Sequence, residues 1–316
     1  MGKFVDRPRY TCALGGAIGT LISLPRVVPI LHAAAGCGGN IANALNGAAG
    51  YLGSGYCSGQ ALPSSNVYEN EIVFGGESRL AEEIENTLKL VEGDLYVVVT
   101  GCMVEMIGDD ARNVARKFAG RRAPVLAVDS GGFKGNSFKG YDLVLGMLFR
   151  EFVLKSRPKN PKLLNLWGIV PVQDVFWKGN LRVLKELLTK LGYQVNTFFG
   201  ESETLQNLRD AGGAVLNIVV SDTAGVEPAR VFEEEHGTPF ISVPFPIGVR
   251  GTGQFLQAVG EALGMGETQI HQLIQDEQRQ FYSYLERLAD VYNDLDLQRY
   301  AVIVGDSNYA QALTRF

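Results

Sequence analysis

The run Leu95-Tyr96-Val97-Val98-Val99-Thr100 limits what this chain can fold into more than any other stretch. It follows the turn-forming Glu92-Gly93-Asp94 and shows no polar alternation. Such a run reads as a central strand covered on both faces, the habit of parallel sheets in α/β proteins. It leads through Gly101-Cys102 towards a helix expected to begin near Asp109. A thiol at the carboxyl end of a buried parallel strand stands where open α/β sheets place their ligands.

Strand and helix patterns alternate along the rest of the chain. Residues 27–32 and 123–129 read as strands, and residues 13–20 as a glycine-rich helix that needs tight packing to be stable. A helix over 78–91 carries Leu80, Ile84, Leu88 and Val91 on one face. Residues 130–136 form a glycine-rich loop before a helix over 141–154, and the polar, proline-punctuated stretch 156–161 closes a first unit, 1–158. A second unit, 159–298, has strands expected at 163–168, 193–199, 214–221 and 240–244. Its helices are expected at 179–191, 201–210 (Ser202 or Glu203 near the cap), 228–236 and 252–263, with a long polar helix over 267–295. The strand Tyr300–Asp306 would open a third unit, 299–316, that is cut short. Strands separated by helices of this length predict right-handed crossovers and an α/β fold of tandem doubly wound, Rossmann-like parallel sheets.

The net charge of −5 and the lack of a dense Lys/Arg stripe argue against nucleic acid as a partner. Arg121-Arg122 and the basic stretch 155–162 read as solvated surface. The amino terminus has no apolar signal core, and no run reaches the ~18 apolar residues of a membrane span, so the expectation is a cytoplasmic protein with no membrane partner. All four cysteines precede residue 103. In a large chain without an export signal they are not expected to be disulfides, which leaves buried structural thiols or metal ligands. Cys37 lies between Gly36 and Gly38-Gly39, where backbone N–H groups can point at an anion such as a sulfide-rich cluster. The same glycines also suit an ordinary turn feeding a helix. Gly75-Gly76 is not followed by Gly-Lys-Ser/Thr, so it is no phosphate loop.

Several motifs together resemble the component 1 subunits of nitrogenase. They are Tyr-Thr-Cys12-Ala-Leu-Gly-Gly-Ala, His-Ala-Ala-Ala-Gly-Cys37, and Gly-Cys102-Met-Val-Glu-Met-Ile-Gly-Asp-Asp, joined by Ile-Val-Phe-Gly-Gly-Glu at 72–77. Gly-Phe-Lys-Gly-Asn at 132–136, Gly140-Tyr141-Asp142, Pro246-Ile247-Gly248 and Gly305-Asp306-Ser307 continue the likeness in order. The form around Cys102 is most similar to the β-type subunit.

That resemblance implies several doubly wound α/β domains and an iron–sulfur cluster, [8Fe-7S]-like or [4Fe-4S], shared with an α-type component 1 subunit. It makes Cys12, Cys37 and Cys102 this chain's three ligands and an ATP-dependent iron protein the electron donor. No cysteine follows Cys102, so nothing here matches the thiolate that anchors the catalytic cofactor in the α-type subunit. His236 and His271 read as surface residues, and Cys57 as a loop thiol, an auxiliary ligand or a redox-sensitive spare. His32 reads as a packed or hydrogen-bonded neighbour of the cluster, and Asp109 and Asp110 as helix caps. The expected function is a nitrogenase-like oxidoreductase subunit relaying electrons to a substrate site in its partner. The alternative is a scaffold on which an iron–sulfur cofactor is assembled. A nucleotide-binding module comes last, because no Gly-x-Gly-x-x-Gly follows the first strand. Dinitrogen, a tetrapyrrole and a thioether all remain compatible substrates.

Overall fold

The computed structural model describes residues 11–48, 62–200, 202–288 and 301–316. Its first half runs α1 (Ala13–Ile22), β1 (Val27–His32), α2 (Ala35–Ala48), α3 (Glu69–Phe74), α4 (Glu77–Leu90) and β2 (Leu95–Thr100). It continues through α5 (Cys102–Ile107), α6 (Ala111–Arg116), β3 (Val125–Val128) and α7 (Ser137–Glu151). The three strands form a parallel sheet of order β1-β2-β3, with Val27 opposite Leu95 and Tyr96 opposite Val125. Every residue of β1 and β2 is buried, which is why neither alternates. Val97 and Val99 face a core shared with α1 and α7, whereas Tyr96 and Val98 face Leu80 and Ile84 of α4 and Val114 of α6.

The glycines of α1 set its distance from α7. A Cβ on Gly16 would lie 2.0 Å from the carbonyl oxygen of Ser137, and one on Gly140 would lie 2.0 Å from that of Ala13. No larger residue fits between the two backbones. Helix α7 begins four residues earlier than its apolar pattern suggests, because Asn136 caps it and accepts from the amides of Phe138 (3.1 Å) and Lys139 (3.3 Å).

The second half comprises β4 (Leu163–Trp167), α8 (Trp177–Lys190), β5 (Gln194–Asn196), α9 (Leu205–Arg209), β6 (Leu216–Val219), α10 (Val226–His236) and β7 (Phe240–Ser242). It then adds α11 (Gly248–Ala262), α12 (Glu267–Glu286) and a last helix, Ser307–Arg315. The sheet is parallel, of order β5-β4-β6-β7. Asn165, Asn196 and Asn217 stand opposite one another across β5, β4 and β6, all buried. Asn165 donates to Asn217 (2.9 Å), and Asn196 donates to Asn165 (3.2 Å).

Helix α7 joins the two sheets. The Tyr141 hydroxyl accepts from the amide of Gly168 (3.1 Å) after β4, and the Asp142 carboxylate accepts from that of Gly225 (2.7 Å) before α10. Phe149 packs against Trp167, Phe198 and Phe232. The stretch 156–161 is pinned by Lys159, whose ammonium donates to the carbonyls of Gly212, Ala214 and His236 and to Thr238.

Two elements of the second half depart from expectation in kind or cap. The helix expected over 201–210 shortens to α9, capped by Thr204 rather than Ser202 or Glu203, because Glu203 is drawn inward to Lys185 (2.5 Å) and Thr197 (3.1 Å). Residues 301–306 form no strand: Val302 and Val304 are exposed and no neighbouring strand pairs with them. Asp306 instead caps the last helix, which docks through Asn308 on Ser221 (2.9 Å) and Tyr309 on Asp174 (3.0 Å). Among the described residues, no helix is long and apolar enough to cross a membrane.

Candidate metal centre

Three of the four cysteines lie at the amino ends of helices. Cys102 is the first residue of α5, immediately after β2. The chain does not run as a loop to Asp109: α5 forms at once, ends at Gly108 in a left-handed turn (φ 85°), and α6 follows. Cys12 is the extended residue before α1, held by an antiparallel bridge to Asn136 and by a bond from the amide of Ala13 to the Gly135 carbonyl (2.9 Å). Cys37 sits in the first turn of α2, so its glycines do feed a helix. Cys57 lies outside the described residues.

Gly132 joins two of these thiols. Its amide donates to Cys102 Sγ (3.0 Å), and a Cβ there would lie 3.1 Å from Cys12 Sγ and 3.2 Å from Cys102 Sγ. Any side chain at 132 would crowd both sulfurs. Partial desolvation pushes the Cys37 thiol above its ordinary range, and the nearby Cys102 and Cys12 push it further. Repulsion among three thiolates is what a bound cation relieves. Among the described residues, no three His, Cys, Asp or Glu side chains gather closely enough to hold a single metal ion. Thiols of this kind are soft donors.

Sequence reasoning missed the residue that holds Gly132. Glu105, three residues beyond Cys102, accepts from the Thr100 hydroxyl (2.5 Å) and the Gly131 amide (2.6 Å), and pairs with Lys134 (2.8 Å). It ties the 130–134 loop to the end of β2. The only clue in the sequence was its place in the Cys-Met-Val-Glu motif.

A second brace lies beneath. His32, fully buried at the end of β1, bonds Ser65 through Nδ1 (2.8 Å) and Asp109 through Nε2 (3.1 Å). Burial lowers the His32 pKa, against the opposing pull of Asp109, so the ring is neutral. Asp109 also accepts from the amide of Gly76, where a Cβ would lie 2.7 Å from the carboxylate; this is what the Gly75-Gly76 pair is for. Only Asp110 acts as a cap, accepting from the Asn113 amide (2.9 Å). Ser65, His32 and Asp109 have the residue types of a hydrolytic triad, but Ser65 is fully buried and can reach no substrate. His236 is not a surface residue: it is half-buried and its Nε2 donates to the Phe149 carbonyl (2.7 Å), whereas His271 is exposed.

Cys12 and Cys37 are exposed and Cys102 is partly so. Met106 (78% exposed), on the helix that Cys102 begins, and Phe133 (62%), next to Gly132, present apolar side chains to solvent, as does Phe74 (85%) at the end of α3. Thiols open on one side within an apolar rim leave room for ligands from a second surface.

A family described as Nitrogenase component 1 type Oxidoreductase matches residues 12–316. The nitrogenase iron-iron protein beta chain of Rhodobacter capsulatus is 26% identical over 278 residues, covering 81% of this chain and 59% of that one. The nitrogenase iron-molybdenum cofactor biosynthesis protein NifE of Nostoc sp. is 29% identical over 262 residues, covering 80% and 51%. The nitrogenase molybdenum-iron protein beta chain of Azotobacter vinelandii is 25% identical over 338 residues, covering 98% and 61%. A solved structure described as Nitrogenase Cp1 at pH 6.5 superposes with a TM-score of 0.72 at 20% identity, over 84% of this chain and 60% of that one. The chain thus spans about three fifths of the length of the first curated relatives it matches.

Proposed function

Because this chain belongs to the nitrogenase component 1 type oxidoreductases, we propose that Cys12, Cys37 and Cys102 hold its share of an iron–sulfur cluster, the remaining ligands coming from an α-type partner subunit. The observation that carries this reading is the convergence of Cys12 and Cys102 on the side-chain-free Gly132, with Cys37 within their electrostatic reach. Such a cluster supplies low-potential one-electron chemistry, here fed by an ATP-dependent iron protein and passed to a substrate site in the partner. The chain's own residues supply three thiolates at helix amino ends, and the Gly132 amide directs an N–H at one of them. Glu105 holds the neighbouring Gly131 amide and so the loop that carries Gly132, and the buried His32 brace fixes the ends of β1 and α5. Met106, Phe133 and Phe74 would be covered by the partner and keep water from the sulfurs.

Anaerobic co-purification with the α-type partner, followed by iron quantitation and EPR, tests the proposal. Iron and a cluster signal present in the wild type and lost in Cys102→Ala is the expected result. A folded complex equally poor in iron in both proteins would overturn it. The matches to NifE proteins favour a second reading, a scaffold for cofactor assembly. A cluster-loaded complex that passes its cofactor to an apo-acceptor, yet turns over no substrate with the iron protein and ATP, would select the scaffold.

A further inference from the structure

The two basic stretches of the sequence do not stay apart in the fold. Arg121 and Lys155 line one cleft of about 900 Å³, together with Arg26, Arg150 and Arg209. The cleft lies at the amino ends of β2 and β3, away from the thiols, which stand at carboxyl ends. Of its carboxylates, Asp94 pairs with Arg26 within the cleft (2.8 Å) and Glu203 pairs with Lys185 outside it (2.5 Å), leaving Glu151 without an ion pair among the described residues. Lys155 is engaged by Glu235. Among the described residues, Arg121, Arg150 and Arg209 have no carboxylate within ion-pair distance.

Helix dipoles account for part of this, since Arg150 and Arg209 stand in the last turns of α7 and α9, where cations are favoured. They do not account for Arg121, which lies in the turn before β3, nor for three guanidinium groups without an ion pair in one cleft of a chain whose net charge is −5, although Arg150 and Arg209 feel Glu235 and Asp210 at longer range. The cleft is also framed by the main chain, with the amide of Leu154 bonded to the carbonyl of Arg209 and that of Asp94 to the carbonyl of Arg26 (2.9 Å each). Pro25, Pro124 and Phe152 add an apolar lining.

We propose that this cleft binds a small phosphorylated molecule, its phosphates held by Arg121, Arg150 and Arg209 and its organic part laid against the apolar lining. Three planar forks match the charge and the many acceptor oxygens of a diphosphate better than those of a single carboxylate. The volume lies within the range of small-molecule sites.

Calorimetric titration of the purified full chain with inorganic pyrophosphate, at near-physiological salt, tests this. Saturable one-to-one binding is expected in the wild type, weakened about tenfold or more in Arg150→Gln/Arg209→Gln and again in Arg121→Gln. Arg182→Gln, an exposed arginine on α8, should leave it unchanged. Melting curves establish that each variant is folded, and pyrophosphate should raise the midpoint of the wild type and not of the double variant. No saturable binding in the wild type, or equal weakening by Arg182→Gln, or none in the double variant, would overturn the proposal.

Discussion

Replacing Glu105 by alanine should both destabilise the protein and loosen the loop over the thiols. The Gly131 amide would lose its acceptor at 2.6 Å in a largely enclosed site, at a cost of about 1–3 kcal/mol. The pair with Lys134 joins side chains only 11% and 28% exposed, so its loss falls between a surface and a buried bridge, at about 1 kcal/mol. Thr100 loses little, because its hydroxyl can turn its donation to the Val128 carbonyl, 3.5 Å away. The sum is about 3 kcal/mol, or a melting midpoint lower by about 4–5 °C in a chain of this size. Glu105→Gln keeps an acceptor for Gly131 but turns an uncharged amide towards Lys134, so its loss should be intermediate. Hydrogen exchange read on peptides covering 129–136 should show the Gly131 and Gly132 amides losing protection in Glu105→Ala. An alanine variant with an unchanged midpoint and intact protection would refute the idea that Glu105 holds this loop.

Gly16→Ala should lower stability by about 1–3 kcal/mol through overpacking, because its Cβ would meet the Ser137 carbonyl and force α1 away from α7; thermal unfolding at the wild-type midpoint would contradict this. Burial pushes the Asp142 carboxyl up to about 7. The folded state therefore holds that proton more tightly than the unfolded chain does. The stability it contributes is full below the ordinary carboxyl range and is lost as pH rises towards 7. Asp142→Asn keeps the acceptor for Gly225 and should flatten the urea midpoint against pH between about 4 and 7, whereas parallel profiles would count against the assignment. Lys159→Met should cost about 2–3 kcal/mol by leaving the carbonyls of Gly212 and His236 without a donor and that of Ala214 with only the Thr238 hydroxyl, read as a fall in urea midpoint; a neutral result would show that water replaces the ammonium.

What could be read from the sequence was what depends on neighbours along it. The runs 27–32 and 95–100 formed strands with those bounds, because burial on both faces writes itself as an unbroken apolar run. The tight helix at 13–20 was legible from its glycines. The three cysteines stood out by residue type and setting, but nothing local revealed that Gly132, thirty residues after Cys102, touches two of them. Glu105 and Asp109 were hidden for the same reason: each spends its carboxylate on amides, Gly131 and Gly76, that only the folded sheet brings near. Asp109-Asp110 looked alike as caps, and only tertiary structure sent one inward to His32. Residues 301–306 erred the other way, since an apolar run becomes a strand only when another strand lies beside it.

The asparagine row in the second sheet bears on how that sheet is assembled. Apolar side chains alone barely distinguish the native pairing from one slipped by two residues, since such a slip keeps the same faces together. It would, however, set Asn165 opposite Val215 or Val219 instead of Asn217, and opposite Gln194 or Phe198 instead of Asn196. On the β6 side either slip would leave Asn165 facing a valine instead of the amide it bonds in the native alignment. Slipped pairings would be short-lived and would reopen before the helices close over them. The row thus ties the alignment of three strands to one another, so that the register of each depends on that of its neighbour.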